Sequence, residues 1–160
     1  MGRFGEDVVS RLLHRRAGGR IRFTARHLGD KAQLLDFIVN LVDEFGKEHG
    51  PFFFLQVRTT EVVARQRQGI RANFSPLEVK FVQARKVPVY LAAVVSKEDD
   101  CEEIYVLGID GLHEGGVRVV PRLFPLSDES VRLEIYQEVN DYFESGLKIF
   151  VSRLTKGRKT

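Results

Sequence analysis

Two segments with the alternating pattern of β-strands, residues 34–41 and 52–60, constrain the fold of this chain most. Successive side chains of a strand point to opposite faces of its sheet. The first segment therefore places four apolar side chains on one face, namely Leu35, Phe37, Val39 and Leu41. Its other face carries Asp36, and the second segment carries Gln56 and Arg58 opposite an apolar face. A turn at 46–51 would pair the segments as an antiparallel hairpin, in which these three polar residues converge.

An acid, an amide and a cation on one sheet face are typical of a metal-dependent site that cleaves phosphodiesters, or of a variant of one. A structural alternative stays open for each residue. Asp36 and Arg58 would form an ion pair in the core, because a buried carboxylate is costly unless it is paired. Gln56 would then make a hydrogen bond across the sheet.

Three further segments have the pattern of helices. Residues 4–16 place apolar side chains at helical spacing, and a glycine pair follows them. A second helix starts at Ser75, where a serine cap, Pro76 and Glu78 form a capping box, and it extends to residue 86. A third starts at residue 127 and ends before Gly146.

The remaining apolar segments predict strands at 20–24, 87–95, 103–109 and 117–121. Residues 87–95 are apolar on both faces, as in a central strand. We expect a polar loop or a strand extension at 61–71. The order of elements predicts an α/β (α+β) fold, in which a mixed central sheet is flanked by helices and the helix from Ser75 forms a crossover.

The length of 160 residues suits one domain, which we place at 1–150, with a basic C-terminal tail at 151–160. The single cysteine, Cys101, lies in an acidic run that disfavours a reactive thiolate. One cysteine cannot form a disulfide within the chain, which fits a reducing, cytoplasmic location. No apolar run is long enough to span a bilayer, and the N-terminus lacks the apolar stretch of a signal peptide. We therefore expect no membrane partner.

The charge is divided unevenly along the chain. Residues 1–86 carry a net charge of +7, and residues 87–160 carry −4, within a total of +3. A basic field around the polar face favours polyanionic partners such as nucleic acid. Arg65, Arg67 and Arg71 would follow a nucleic-acid backbone, or else belong to an ordinary solvated basic loop.

The motif Asp36-Phe37-Ile38-Val39, then 54–60, a helix and 88–91, resembles the PD-(D/E)XK nuclease superfamily. More narrowly, it is similar to bacterial domains whose second motif reads Gln-x-Lys followed by Ser or Thr. The resemblance covers residues 4–109. It implies a restriction endonuclease-like core of helix, strand, strand, strand, helix and strand, followed here by C-terminal strands and a helix.

The resemblance also implies roles for individual residues. Asp36 would bind Mg²⁺, together with Glu6 of the first helix and the backbone carbonyl of Val57. Gln56 would be the second-motif residue, and Arg58 occupies the position of the catalytic lysine. Two departures weaken the site: Gln56 offers only a neutral carbonyl, and an arginine stays protonated, so it cannot act as a base. The alternative for Glu6 is a solvated acid in the first helical turn.

Three functions follow as hypotheses. The chain is a Mg²⁺-dependent endonuclease on DNA, in bacterial defence or on mobile elements. Alternatively, it is a nuclease fold that has lost catalysis and binds DNA. A third hypothesis is a non-catalytic protein–protein interaction domain. The resemblance also implies a possible homodimer, because members of the superfamily often form homodimers.

Overall fold

The computed structural model describes residues 2–29, 34–61, 69–96 and 102–155. Its three helices are α1 (Gly2–Leu13), α2 (Pro76–Gln83) and α3 (Glu129–Ser145). Its nine strands are β1 (Arg16–Ala17), β2 (Arg20–Ile21), β3 (Phe23–His27), β4 (Phe37–Val42), β5 (Glu48–Glu61), β6 (Gly69–Phe74), β7 (Val89–Ser96), β8 (Glu102–Gly108) and β9 (Val117–Pro121). The fold is α+β, as the sequence predicts.

A mixed sheet of five strands, in the order β3-β4-β5-β7-β8, forms the centre of the described structure. Strands β3, β4 and β5 form an antiparallel meander, in which His27 lies opposite Phe37 and Phe37 lies opposite Leu55. Strand β7 is parallel to β5 and antiparallel to β8. Because parallel neighbours need a crossover, β6 and α2 make the connection from β5 to β7. The mixed central sheet and its crossover are therefore confirmed.

The sheet separates two hydrophobic cores. One face packs against α1 and α3, through side chains such as Phe53, Leu55 and Val57 of β5. The other packs against α2 and a second, two-stranded sheet of β6 and β9. Strand β7 is buried on both faces, since alternate residues enter the two cores. Helices therefore flank both faces of the sheet.

Local sequence signals determine the helix ends. The Ser75 hydroxyl accepts a hydrogen bond from the Glu78 N–H, and the Glu78 carboxylate accepts one from the Ser75 N–H. This capping box satisfies two backbone donors that the first turn of α2 leaves without partners. Helix α3 ends at Gly146, which has φ +65°, a left-handed conformation that glycine adopts without strain.

Several predicted boundaries differ from the structure. Leu35 packs in the core on the α2 face, whereas the alternation predicted it beside Phe37 on the other face. The reason is that Leu34 has φ +63° and β4 starts only at Phe37, so strand alternation does not yet hold at Leu35. Helices α1 and α2 are each three residues shorter at the C-terminus than predicted. The predicted loop at 61–71 contains the start of β6.

A buried polar network fixes the C-terminal segment to the fold. The Glu138 carboxylate of α3 accepts hydrogen bonds from the Tyr90 hydroxyl, the Ser152 hydroxyl and the Arg153 N–H. The Ser152 N–H donates to Asp110, and the Leu154 carbonyl accepts from the Gly108 N–H. Ser152 and Leu154 are each only 3% exposed. Residues 151–155, expected in the tail, are therefore packed against the domain, and residues 156–160 lie outside the described residues.

Among the residues that the structure describes, no helix combines the length and the apolar character needed to cross a membrane.

Candidate functional site

Asp36 lies where β3, β4 and β5 meet, immediately before the first residue of β4. Its N–H donates to the Leu55 carbonyl at 3.0 Å, and its carbonyl accepts from the Leu28 N–H at 2.9 Å. Its carboxylate Oδ2 accepts from the Val57 N–H at 2.7 Å. The side chain therefore continues the β4–β5 hydrogen-bond pattern beyond the end of β4, which fixes the orientation of the carboxylate.

Glu6 of α1 places a second carboxyl group against the first. The pKa of Glu6 is raised, chiefly by burial and then by the negative charge of Asp36, whose side chain also forms a hydrogen bond with it. His27 acts in the opposite direction, since its Nδ1 lies 3.3 Å from Oε2 of Glu6. Two adjacent carboxylates repel each other unless a proton or a cation lies between them. The Glu6–Asp36 pair is therefore the most favourable place for a cation among the residues predicted to form the site.

The close approach of α1 to β5 brings Glu6 to this position. Gly5 packs so near β5 that a Cβ atom there would lie 2.1 Å from the Thr59 Oγ1. Only a glycine permits this distance without movement of a neighbour, because real Cβ atoms do not approach other atoms so closely. Gly5 thus sets the height of the next residue, Glu6, above the sheet.

Gln56 of β5 is buried on the same sheet face as Arg58, with only 6% of its surface exposed. Val57 faces α1 on the other side of the sheet, so the structure does not bring the Gln56 side chain to Glu6. Its Nε2 donates to the Val57 carbonyl at 3.4 Å, a long hydrogen bond. Its Oε1 has no hydrogen-bond partner in the described part of the chain. A buried amide oxygen without a donor is costly, so the burial of Gln56 lowers the stability of the fold.

Arg58 points into the α2 side of the sheet. Its guanidinium donates to the Glu78 carboxylate and lies over the Phe74 ring, with Cζ 5.6 Å from the ring centroid. Within the described residues, no hydrogen bond or ion pair joins Arg58 to Asp36. The structure therefore brings together Asp36, Glu6 and Val57. It pairs Arg58 with Glu78, whereas the sequence predicted Arg58 beside Asp36.

The predicted nucleic-acid residues are only partly described. Arg71 is exposed on β6, where it lies opposite Val119 of β9. Arg65 and Arg67 lie outside the described residues, so their predicted role stays a prediction.

The donors of the site suit Mg²⁺. No group of three His, Cys, Asp or Glu side chains arranged to hold a metal occurs within the described ranges. Mg²⁺ does not require one, because proteins hold it through one or two carboxylates together with waters and substrate phosphates. Glu6 and Asp36 supply two carboxylates, and the Val57 carbonyl belongs to the residue whose N–H binds Asp36. These residues fit Mg²⁺ by donor type.

Sequence reasoning missed two residues of this region. His27 was not among the residues predicted for the site, yet it contacts Glu6 and packs on Phe37 with ring centroids 4.3 Å apart. Strand β3 extends beyond its predicted end at residue 24, and this extension pairs His27 with Phe37. A prediction of the longer strand would have brought His27 to the site. Glu78 was assigned only to the capping box, and its ion pair with Arg58 depends on where α2 crosses the sheet.

Comparison of the chain with protein-family models, with curated proteins and with solved structures found no match.

Proposed function

We propose that this chain is a cytoplasmic DNA-binding domain with a PD-(D/E)XK-like core, whose Glu6–Asp36 pair holds Mg²⁺ against a backbone phosphate. The observation that carries the proposal is the contact between these two carboxyl groups beside the Val57 backbone. The order of α1, the β3–β4–β5 meander, α2 and the parallel strand β7 supports the proposed core, because the resemblance implies this order. The basic N-terminal half of the chain supports an anionic partner.

The residues around the pair have distinct tasks in this proposal. The Val57 N–H holds Oδ2 of Asp36, which fixes the orientation of this carboxylate. His27 orients Glu6 through its Nδ1. Asp36, Glu6 and the Val57 carbonyl would hold Mg²⁺, which supplies Lewis-acid polarisation of a phosphate oxygen when bound. Arg58 ties β5 to α2 and takes no part in proton transfer, since it is paired with Glu78 and stays protonated.

Binding of Mg²⁺ by the Glu6–Asp36 pair can be tested directly. Calorimetric titration with Mg²⁺ should show one binding site in the native chain, and an Asp36→Asn variant should weaken that binding at least about tenfold, by analogy with lost metal ligands. Asp141→Asn is the matched control, because it removes one carboxylate from the exposed side of α3. If both variants bind Mg²⁺ like the native chain, Asp36 is not a ligand and the proposal fails.

A supercoiled plasmid then separates binding from cleavage. Native protein with Mg²⁺ or Mn²⁺ is compared with Asp36→Asn under the same conditions. Nicking by the native chain alone identifies an endonuclease. Salt-sensitive DNA binding without nicking identifies a nuclease fold that binds DNA and has lost catalysis. We favour the second outcome, because the structure holds the arginine of the lysine position in an ion pair with α2.

A protein–protein interaction domain remains a second candidate, and one observation favours it. Leu147, Ile149 and Val151 follow α3 with 60%, 53% and 49% of their surfaces exposed. Exposed apolar side chains that lie close together often mark an interface, either with a second copy or with another protein. Sedimentation analysis of the native chain and of Ile149→Glu tests this candidate: a native dimer that the variant converts to a monomer would support it.

A further inference from the structure

A segment without acidic residues contains β3, an edge strand of the central sheet. Residues 8–29 contain six arginines and two histidines but neither aspartate nor glutamate. They form the end of α1, the β1–β2 pair and β3. His27, at one end of this segment, contacts Glu6 of the proposed Mg²⁺ site. The cationic segment is therefore continuous with that site.

Two arginines of the segment are held rigidly on the ring of Tyr136, a residue of α3. The Cζ atom of Arg20 lies 5.4 Å from the ring centroid, and that of Arg22 lies 5.2 Å from it. Arg20 also donates to the Val42 carbonyl at 2.6 Å and to the Tyr136 hydroxyl at 3.3 Å. Arg22 donates to the Ala17 carbonyl at 2.7 Å and to the Gly18 carbonyl at 3.4 Å.

Both guanidiniums donate hydrogen bonds to neutral oxygen atoms. Within the described residues, no carboxylate forms an ion pair with Arg20 or Arg22, and both donate only to carbonyls and a hydroxyl. The nearby acids are occupied: Asp43 accepts from the N–H groups of Phe45 and Lys47, and Glu48 accepts from Arg26 and Thr24. Of the five N–H donors on each guanidinium, these hydrogen bonds use two. The remaining donors are oriented in advance. Asp43 offsets part of the Arg20 charge: the pKa of Asp43 is lowered chiefly by the hydrogen bond from the Lys47 N–H, and the nearby Arg20 charge lowers it further.

We propose that Arg20 and Arg22, mounted on Tyr136, bind the phosphates of a DNA strand that continues from the Glu6–Asp36 pair along the outer edge of β3. This inference rests on the proposed function. An arginine fork matches the oxygens of a phosphate, and a preoriented fork loses little entropy on binding. The five residue-to-residue steps from Arg22 to His27 span about 16 Å at the rise of a strand, which is the length of several nucleotides.

The main experiment measures DNA affinity against salt concentration. A fluorescein-labelled DNA duplex is titrated with the native chain and with Arg20→Gln/Arg22→Gln, and binding is followed by fluorescence anisotropy. We expect the double variant to lower the slope of log Kd against log salt by about 2, because each phosphate contact contributes about 0.9. The matched control is Arg85→Gln/Arg118→Gln, which removes the same charge from two exposed arginines of the α2 side and β9.

Each result bears on a different claim. If the native chain binds DNA and the two double variants lose slope equally, Arg20 and Arg22 are not contacts, and the inference is overturned while the proposed function stands. If the native chain shows no salt-sensitive DNA binding, the proposed function is overturned, and the inference that rests on it is overturned too. Vesicles with anionic lipid provide the third comparison. If they bind the native chain more tightly than DNA does, and only Arg20→Gln/Arg22→Gln loses this binding, the two arginines contact a membrane surface. That result overturns the claim that they bind DNA.

A second measurement uses the native chain, since both arginines also hold backbone carbonyls and their loss could prevent folding. Phenylglyoxal modifies accessible arginines, and mass spectrometry locates the modified sites. With DNA present, we expect protection of Arg20 and Arg22 and continued modification of Arg85 and Arg118. Equal modification of all four arginines with and without DNA would overturn the inference.

Discussion

The Arg58 guanidinium donates to the Glu78 carboxylate, and this ion pair joins β5 to the first turn of α2. The same carboxylate caps the helix through the Ser75 N–H, so one side chain both starts α2 and fixes it to the sheet. Arg58, at the position where the resemblance implies a catalytic lysine, therefore makes a structural contact.

The ion pair should contribute to stability. We expect Arg58→Met to lower the free energy of unfolding by roughly 1–3 kcal/mol, because it removes a charged hydrogen bond and the contact with the Phe74 ring. The Arg58 and Glu78 side chains are 34% and 22% exposed, so their direct coupling is smaller, about 0.5–1 kcal/mol. Urea unfolding of Arg58→Met, Glu78→Gln and the double variant measures this coupling.

Arg58→Lys provides the contrasting result. A lysine here keeps the charge next to Glu78, and we expect it to create no plasmid nicking. New Mg²⁺-dependent nicking by this variant would mean that residue 58 faces the Glu6–Asp36 pair, contrary to the orientation in the structure.

Two substitutions of Asp36 separate its charge from its hydrogen bond. We expect Asp36→Ala to destabilise the fold by roughly 1–3 kcal/mol more than Asp36→Asn, because the alanine leaves the Val57 N–H without its acceptor. Both variants remove the charge beside Glu6. Thermal unfolding of the two proteins without metal gives the comparison, and equal stabilities would show that the hydrogen bond to Val57 contributes nothing.

The packing of α1 on β5 predicts a dependence between two positions. Gly5→Ala should lower the free energy of unfolding by roughly 1–3 kcal/mol, because its Cβ would overlap the Thr59 Oγ1. Thr59→Ala removes that oxygen, and the Thr59 Cβ lies at an ordinary 3.4 Å from the new atom. The double variant should therefore recover most of the loss in urea unfolding. No recovery would place the cause of the destabilisation elsewhere than in this contact.

Glu138 predicts a pH dependence of stability. Burial raises the pKa of Glu138 above its ordinary value of 4.5, although three hydrogen bonds act in the opposite direction. A raised pKa in the folded state means that this group contributes stability below pH 4.5, and the contribution is lost as pH rises through the folded pKa. Relative to the native chain, Glu138→Gln should therefore become more stable as pH rises from 4 to 7.

Urea unfolding across that pH range measures the difference, with Glu144→Gln on the exposed side of α3 as the control. A difference between Glu138→Gln and the native chain that stays constant with pH would contradict the raised pKa. The Tyr90 and Ser152 hydroxyls can each reverse to accept from an amide, so the variant retains the network.

The parts of the fold that depend on short-range signals were predictable from the sequence. The capping box at Ser75, the end of α3 at Gly146 and the inward face of Phe53, Leu55 and Val57 all depend on residues within a few positions of each other. The parts that depend on distant partners were not predictable. Strand β6 pairs with β9 across almost fifty residues, and periodicity carries no information about that pairing.

The candidate site shows the same division. The sharing of a face by Gln56 and Arg58 follows from the alternation along β5, but the partner of Arg58 depends on the position of α2. Asp36 was identified from its unusual place among apolar residues. Its partners, the Val57 N–H and Glu6, come from two other elements, and the contact with Glu6 requires the height of α1 that Gly5 permits.

The anchoring of Ser152 and Leu154 has a practical consequence for anyone who shortens this protein. Removal of the last ten residues, which the sequence predicts to be a basic tail, would remove the Ser152 and Arg153 donors from the Glu138 carboxylate and expose the core side chains that Leu154 covers. Expression boundaries and affinity tags should therefore be placed after residue 155, and a version cut at residue 150 is expected to aggregate.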